Sequence, residues 1–102
     1  MKKLLVCAAA ALVGCATTTP APVAEMNAAR AMVSQAHPAA SQYAPNELRA
    51  AQIKLERAEA ALAREKHTEA RLLAEQAEVD AKLAWTLADS ERARQQLAEV
   101  RK

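Results

Sequence analysis

The most distinctive reactive group in this sequence is a thiol. Cys15 follows Leu12, Val13 and Gly14 directly. A thiolate there is a nucleophile, and its small neighbours let an enzyme and a bulky donor approach the backbone. Cys7, the other cysteine, lies inside an apolar run. His37 and His67 are too far apart in sequence to form a His-x-x-x-His pair. The scattered carboxylates and hydroxyls belong to no nucleophile elbow and no Gly-rich phosphate loop. No catalytic residue, metal ligand or cofactor is therefore assigned. Two further side chains stand out. Trp85 borders an apolar arc and a charged face, and Lys102 closes the sequence with a primary amine after Arg101.

The segment that positions Cys15 has three parts. Lys2 and Lys3 precede an apolar run over residues 4–13, which ends on small residues. This is the grammar of a secretory signal. Ten apolar residues form a helix of roughly 15 Å, about half the thickness of a hydrocarbon core, so the run is expected to be removed and not to span. Leu12, Val13, Gly14 and Cys15 match the bacterial lipobox. That resemblance implies a diacylglycerol thioether on Cys15, cleavage between Gly14 and Cys15, and usually acylation of the new amino terminus. The alternative is an ordinary signal cut after Ala16, with Gly14 and Ala16 as the small pair. Two or three acyl chains hold a protein almost permanently at a bilayer, at about 0.8 kcal/mol per buried CH₂. Lipoproteins kept at the inner membrane often carry Asp after the modified Cys. Ala16 at that place implies the inner leaflet of the outer membrane, facing the periplasm, if the source has two membranes. Loss of Cys7 and modification of Cys15 leave the mature chain without thiol chemistry.

Composition and charge narrow the remaining classes. Of 102 residues, 28 are Ala, one is Gly and none is Phe, and all four Pro precede residue 46. That is a long-helix composition. It excludes a collagen, a disulfide-stapled miniature domain, an all-β sandwich and a two-domain enzyme. Removal of Lys2 and Lys3 leaves 12 Lys plus Arg against 12 Asp plus Glu, interleaved throughout. Without a basic stripe, nucleic acid is not expected as a partner.

The chain divides into a signal at residues 1–14, a lipidated Cys and Thr/Pro tether at residues 15–22, and an Ala-rich helical domain at residues 23–102. The tether favours extended backbone and reaches roughly 20 Å. Val23, Met26, Ala29, Val33 and Ala36 recur at helical spacing, and the pattern predicts a short helix ended by His37 and Pro38. Pro45 suits a first helical position, with Glu47 in the opening turn. From there Leu48, Ala51, Leu55, Ala58 and Leu62 form a 3,4 seam. Ile53 lies off that seam. The seam loses its apolar residues around residues 65–68, which places a tight reversal there with Thr68 as cap. In the next helix, Leu72, Leu73, Val79, Leu83 and Leu87 form a bulky arc that Ala residues extend, with charges opposite. The expected fold is all-α: a hairpin of two long helices, packed through Leu48, Leu55, Leu62 and the bulky arc, with a shorter N-terminal helix laid across it. Only 17 mature residues are Leu, Ile, Val, Met, Trp or Tyr. So small an aliphatic core makes a partner, or self-association through the helices, an expectation.

Tyr43-Ala44-Pro45, Glu47-Leu48, Ala51, Lys54-Leu55, Ala58, Ala61-Leu62, Glu69-Ala70, Leu73-Ala74, Ala77, Asp80-Ala81 and Leu83-Ala84 together resemble domain of unknown function 4398, a family of small Ala-rich bacterial lipoproteins. The resemblance covers about residues 28–87 and implies a helical envelope protein with no assigned reaction. Family members often carry Gly or Asp and an aromatic at the turn, where this chain has Lys66 and His67.

Two functional readings remain. The first is a lipid-tethered, non-catalytic helical scaffold or adaptor that engages an envelope protein. The second comes from Lys102, since Arg101-Lys102 resembles the end of murein lipoproteins, which join peptidoglycan through the side chain of the last Lys. The breaks at Pro38 and Pro45 and the turn expected around residues 65–68 count against that reading, because those lipoproteins are one uninterrupted coiled coil.

Overall fold

The computed structural model describes residues 19–102. The signal at residues 1–14, Leu12, Val13, Gly14, Cys15 and the first part of the tether lie outside the described residues. The described chain is all-α. Its helices are α1 (Val23–Tyr43), α2 (Pro45–Ala63) and α3 (His67–Val100).

A single residue, Ala44, reverses the chain between α1 and α2. Pro45 pushes the residue before it out of the helical region, and Ala44 accordingly sits at φ −145°, ψ 55°. Its N–H still closes α1 on the Ala40 carbonyl (2.9 Å), and its carbonyl accepts the Leu48 N–H (3.1 Å) to open α2.

The second reversal is tighter in chemistry. The Lys66 N–H donates to the Ala61 carbonyl (2.9 Å) and the Glu65 N–H to the Leu62 carbonyl (3.0 Å). This paired pattern is a Schellman motif, whose C′ residue must take left-handed backbone. Glu65 does so, at φ 58°. A side chain bearing a Cβ costs roughly 1–2 kcal/mol in that region. Thr68 is not the cap of α3, as the spacing had suggested. The helix begins one residue earlier, at His67, after Lys66, with no side-chain cap.

The three helices run up, down and up. Near the α2–α3 turn, Met26 and Ala29 pack with Ala58, Ala74 and Ala77. At the far end, Val33, Ala36, Ala40 and Ala44 pack with Leu48, Ala51, Ala81, Ala84 and Ala88. Leu55 touches both clusters and joins them. This register places α1 parallel to α3 and alongside it, not across the hairpin.

The expected end of α1 at His37 and Pro38 is corrected: the helix continues to Tyr43 and, at 21 residues, is longer than α2 at 19. Pro38 deprives the Ser34 carbonyl of its donor, a defect worth about 3 kcal/mol in a helix interior. Pro38 and Ser34 both face solvent, where water can satisfy that carbonyl, while Ala36 and Ala40 on the inner face are fully buried. Packing across the proline holds the helix together. Helix α3 runs twelve residues past Ala88, its last buried position, an overhang of roughly 18 Å.

Candidate interaction surface

Helix α3 carries two seams. The inner one is Ala70, Ala74, Ala77, Ala81, Ala84 and Ala88, all fully buried at 4,3 spacing. The methyl side chain lets helices approach closely, and α1 and α2 answer with Ala29, Ala36, Ala40, Ala51 and Ala58, also fully buried. The outer face holds the large aliphatics.

This arrangement corrects the expected packing set. Leu48 is buried, and Leu55, Leu62 and Leu73 are half-buried against the core clusters. Leu72, Val79, Leu83 and Leu87 instead point away from the bundle, at 55%, 63%, 49% and 40% exposure. The physical reason is competition between two periodic faces. An alanine face on α3 with no polar residue in it receives the inner faces of α1 and α2, where Met26, Val33, Leu48 and Leu55 alternate with alanines. The leucine face is interrupted by Gln76 and Thr86 and has no facing groove to fill. Ile53 and Trp85 are exposed too, at 38% and 40%. Between α2 and α3, Lys54, Leu72, Gln76, Val79 and Asp80 line a shallow groove along this outer face.

Charges pair across the helix interfaces and, among the described residues, form no reactive cluster. One ion pair crosses each helix–helix interface: Arg30–Glu59 (3.1 Å) between α1 and α2, Lys54–Asp80 (2.6 Å) between α2 and α3, and Glu25–Arg71 (3.6 Å) between α1 and α3. The groups are a quarter to a half exposed, so each pair contributes at most about 1 kcal/mol. On α3, the i,i+4 pair between Glu78 and Lys82 is made at 2.8 Å. Among the described residues, no group of three His, Cys, Asp or Glu is placed to hold a metal ion.

The structure gives His67 a role that spacing did not reveal. Its Nδ1–H donates to the Thr19 carbonyl at 2.6 Å, and Pro22 is fully buried. Residues 19–22, expected as part of a free tether, therefore dock on the bundle. The Val23 N–H bonds the Ala21 carbonyl (2.9 Å), and the Met26 N–H bonds the Pro22 carbonyl (3.0 Å). The chain thus enters the bundle beside the α2–α3 turn. His37 is exposed, and Lys102 is exposed at the opposite end of α3. No helix of the described residues is long and apolar enough to cross a membrane.

Residues 24–100 match the family described as Domain of unknown function (DUF4398), and the chain belongs to that family. Neither a curated protein nor a solved structure matches it.

Proposed function

From that membership and the outward leucine face, we propose that this protein is a lipid-anchored, non-catalytic scaffold or adaptor of the bacterial envelope. Cys15 carries the lipid, and the helical domain faces the periplasm from the inner leaflet of the outer membrane. The observation that carries the scaffold reading is the outer face of α3, where Leu72, Val79, Leu83 and Leu87 stay exposed although the protein has few large aliphatics to spare. An exposed apolar stripe with polar flanks marks a protein-contact surface. The point of entry supports the topology. Thr19, four residues after Cys15, is held at the α2–α3 turn, so that end of the bundle lies nearest the bilayer and the α3 overhang points away.

Labelling with a fatty-acid probe, followed by mass determination of the N-terminal peptide, tests the anchor. The expected result is an acylated Cys15 in the membrane fraction, with labelling lost in Cys15→Ser. A soluble chain with a free Cys15 thiol contradicts it. Crosslinking from the outer face of α3 in intact cells tests the adaptor role. Adducts are expected from position 83 and not from position 37, and equal yields from both positions contradict it.

A second reading, a strut joined to peptidoglycan through the Lys102 amine, is favoured by one geometric fact. Thr19 and Lys102 lie at opposite ends of α3, roughly 50 Å apart along a 34-residue helix. Lys102→Ala is expected under this reading to abolish retention on purified sacculi, and unchanged retention rejects it.

A further inference from the structure

The outer face of α3 is more regular than a patch. Leu72, Gln76, Val79, Leu83, Thr86 and Ser90 follow one another at alternating steps of four and three, and Ala93, Leu97 and Val100 extend the series. All nine positions are exposed. The a/d heptad spacing holds without a slip over 29 residues, about 43 Å, with Gln76, Thr86 and Ser90 as its polar positions. It continues for three turns past Ala88, where the inner seam has already turned polar with Arg92, Gln95 and Glu99. Folding of the monomer does not account for Leu97 and Val100, which are 54% and 82% exposed on the uncovered overhang and still in register with Leu83.

We propose that this seam is occupied by a second copy of the same chain, packed parallel and in register along α3. The inference deepens the scaffold reading by naming the partner of the same surface, and it does not rest on the lipid anchor. Three observations favour this occupant. The first is area. Leu72, Val79, Leu83, Leu97 and Val100 together expose roughly 500 Å² of aliphatic surface, close to the apolar share of the ~800 Å² that each side gives to a standard interface.

The second is the placing of the polar residues. In a parallel, in-register pair, Gln76 meets Gln76 of the second copy, and the two amides can bond each other. The antiparallel register that aligns leucines over the longest overlap sets Leu72 against Leu97, Gln76 against Ala93 and Val79 against Ser90, leaving each amide facing a methyl group. A polar residue at an a position specifies register in this way.

The third is charge. The flanking positions bring Asp89 of one copy to Arg94 of the other, an attractive pair that would join the Asp89–Arg92 (2.8 Å) and Glu91–Arg94 (4.0 Å) pairs of each chain into one network. They also bring Glu75 to Asp80, but Asp80 already holds Lys54 at 2.6 Å, so Glu75 meets a neutralised pair. The parallel arrangement also turns both α2–α3 turns, and both points of chain entry, to the same side.

Oxidative crosslinking of the full-length chain in its membranes tests the proposal. Leu97→Cys chains are expected to form a disulfide-linked dimer under copper phenanthroline at least tenfold more efficiently than Arg92→Cys chains, with the unsubstituted chain setting the background from its own cysteines. Adding Leu83→Glu, on an exposed position that leaves the helical circular dichroism unchanged, is expected to remove that adduct. Val79→Cys is expected to behave like Leu97→Cys. The antiparallel alternative holds the two 97 positions roughly 40 Å apart. Equal yields at 97 and 92, an adduct that survives Leu83→Glu, or crosslinking found only in mixtures of Leu72→Cys with Leu97→Cys would each overturn the proposal. Capture of a different protein from position 83, with no Leu97→Cys dimer, would also overturn it while leaving the adaptor reading standing.

Discussion

Along α3 the buried positions 70, 74, 77, 81, 84 and 88 are all alanine, whereas Leu72, Val79, Leu83 and Leu87 on the other side are each at least 40% exposed. The larger residues bury more apolar area one by one, at roughly 25 cal/mol per Å², yet they are not the ones inside. What decides is the match between faces. The alanine face of α3 leaves room for Met26 and Val33 of α1 and Leu48 and Leu55 of α2 to pack against it between their own alanines, and dispersion accumulates over many short contacts. A leucine surface on α3 would instead meet those large side chains of α1 and α2 head on and overpack the core. The aliphatic side chains left outside are then available for a contact beyond the monomer.

The contrast can be broken first at its inner side. Met26 is the largest fully buried side chain of the bundle, and it plugs the cluster made by Ala29, Ala58, Ala74 and Ala77, with Leu55, Leu62 and Leu73 half-buried around it. Met26→Ala is expected to cost about 2–5 kcal/mol in urea denaturation, because alanine neighbours have no side chain with which to fill the cavity. A loss below 1 kcal/mol would show that the alanine seam is not closely packed.

At the turn between the seams' two helices the expected effect is smaller and of opposite sign. Glu65→Gly relieves the left-handed backbone and should raise stability by about 1 kcal/mol, seen as a higher melting temperature. Glu65→Ala should not reproduce the gain. Next come the ion pairs that align the faces. A double-mutant cycle on Lys54 and Asp80 should give a coupling of about 0.2–1 kcal/mol that fades with added salt, and no salt dependence would argue against an electrostatic origin. The smallest effect belongs to the outer face. In dilute monomer, Leu72→Ala should change stability by no more than about 0.5 kcal/mol, since little of its contact area is lost.

Much of this was legible in the residues. The all-helical class followed from 28 alanines, a single glycine and the confinement of proline to the first 45 positions. Pro45 announced the start of α2, and the 3,4 spacing of Leu48, Ala51, Leu55, Ala58 and Leu62 announced its inner face. Pro38 misled because proline's cost depends on which way its ring points, and the solvent-facing position of residue 38 appears only once Ala36 and Ala40 are packed. The arc of α3 was misread for a related reason. Hydrophobicity ranks leucine above alanine, but the facing helices already bring Met26, Val33, Leu48 and Leu55 to the core, and that complementarity is a property of three segments together. The docking of Thr19 on His67 joins residues 48 apart and had no local signature. The left-handed residue at the turn fell on Glu65, where no glycine marked it. The outer heptad was present in the sequence throughout, but it became a candidate contact surface only when the structure left it uncovered.

The most direct measurement uses two neighbouring residues that face opposite ways. Unfolding free energies are compared for Leu83→Ala and Ala84→Leu, at a dilution where the midpoint no longer depends on protein concentration. With the alanine seam inside, Ala84→Leu overpacks the bundle and loses about 1–3 kcal/mol or more, while Leu83→Ala stays within about 0.5 kcal/mol of the parent. The reverse order, with Leu83→Ala losing 2 kcal/mol or more and Ala84→Leu tolerated, would place leucine in the core and contradict the account.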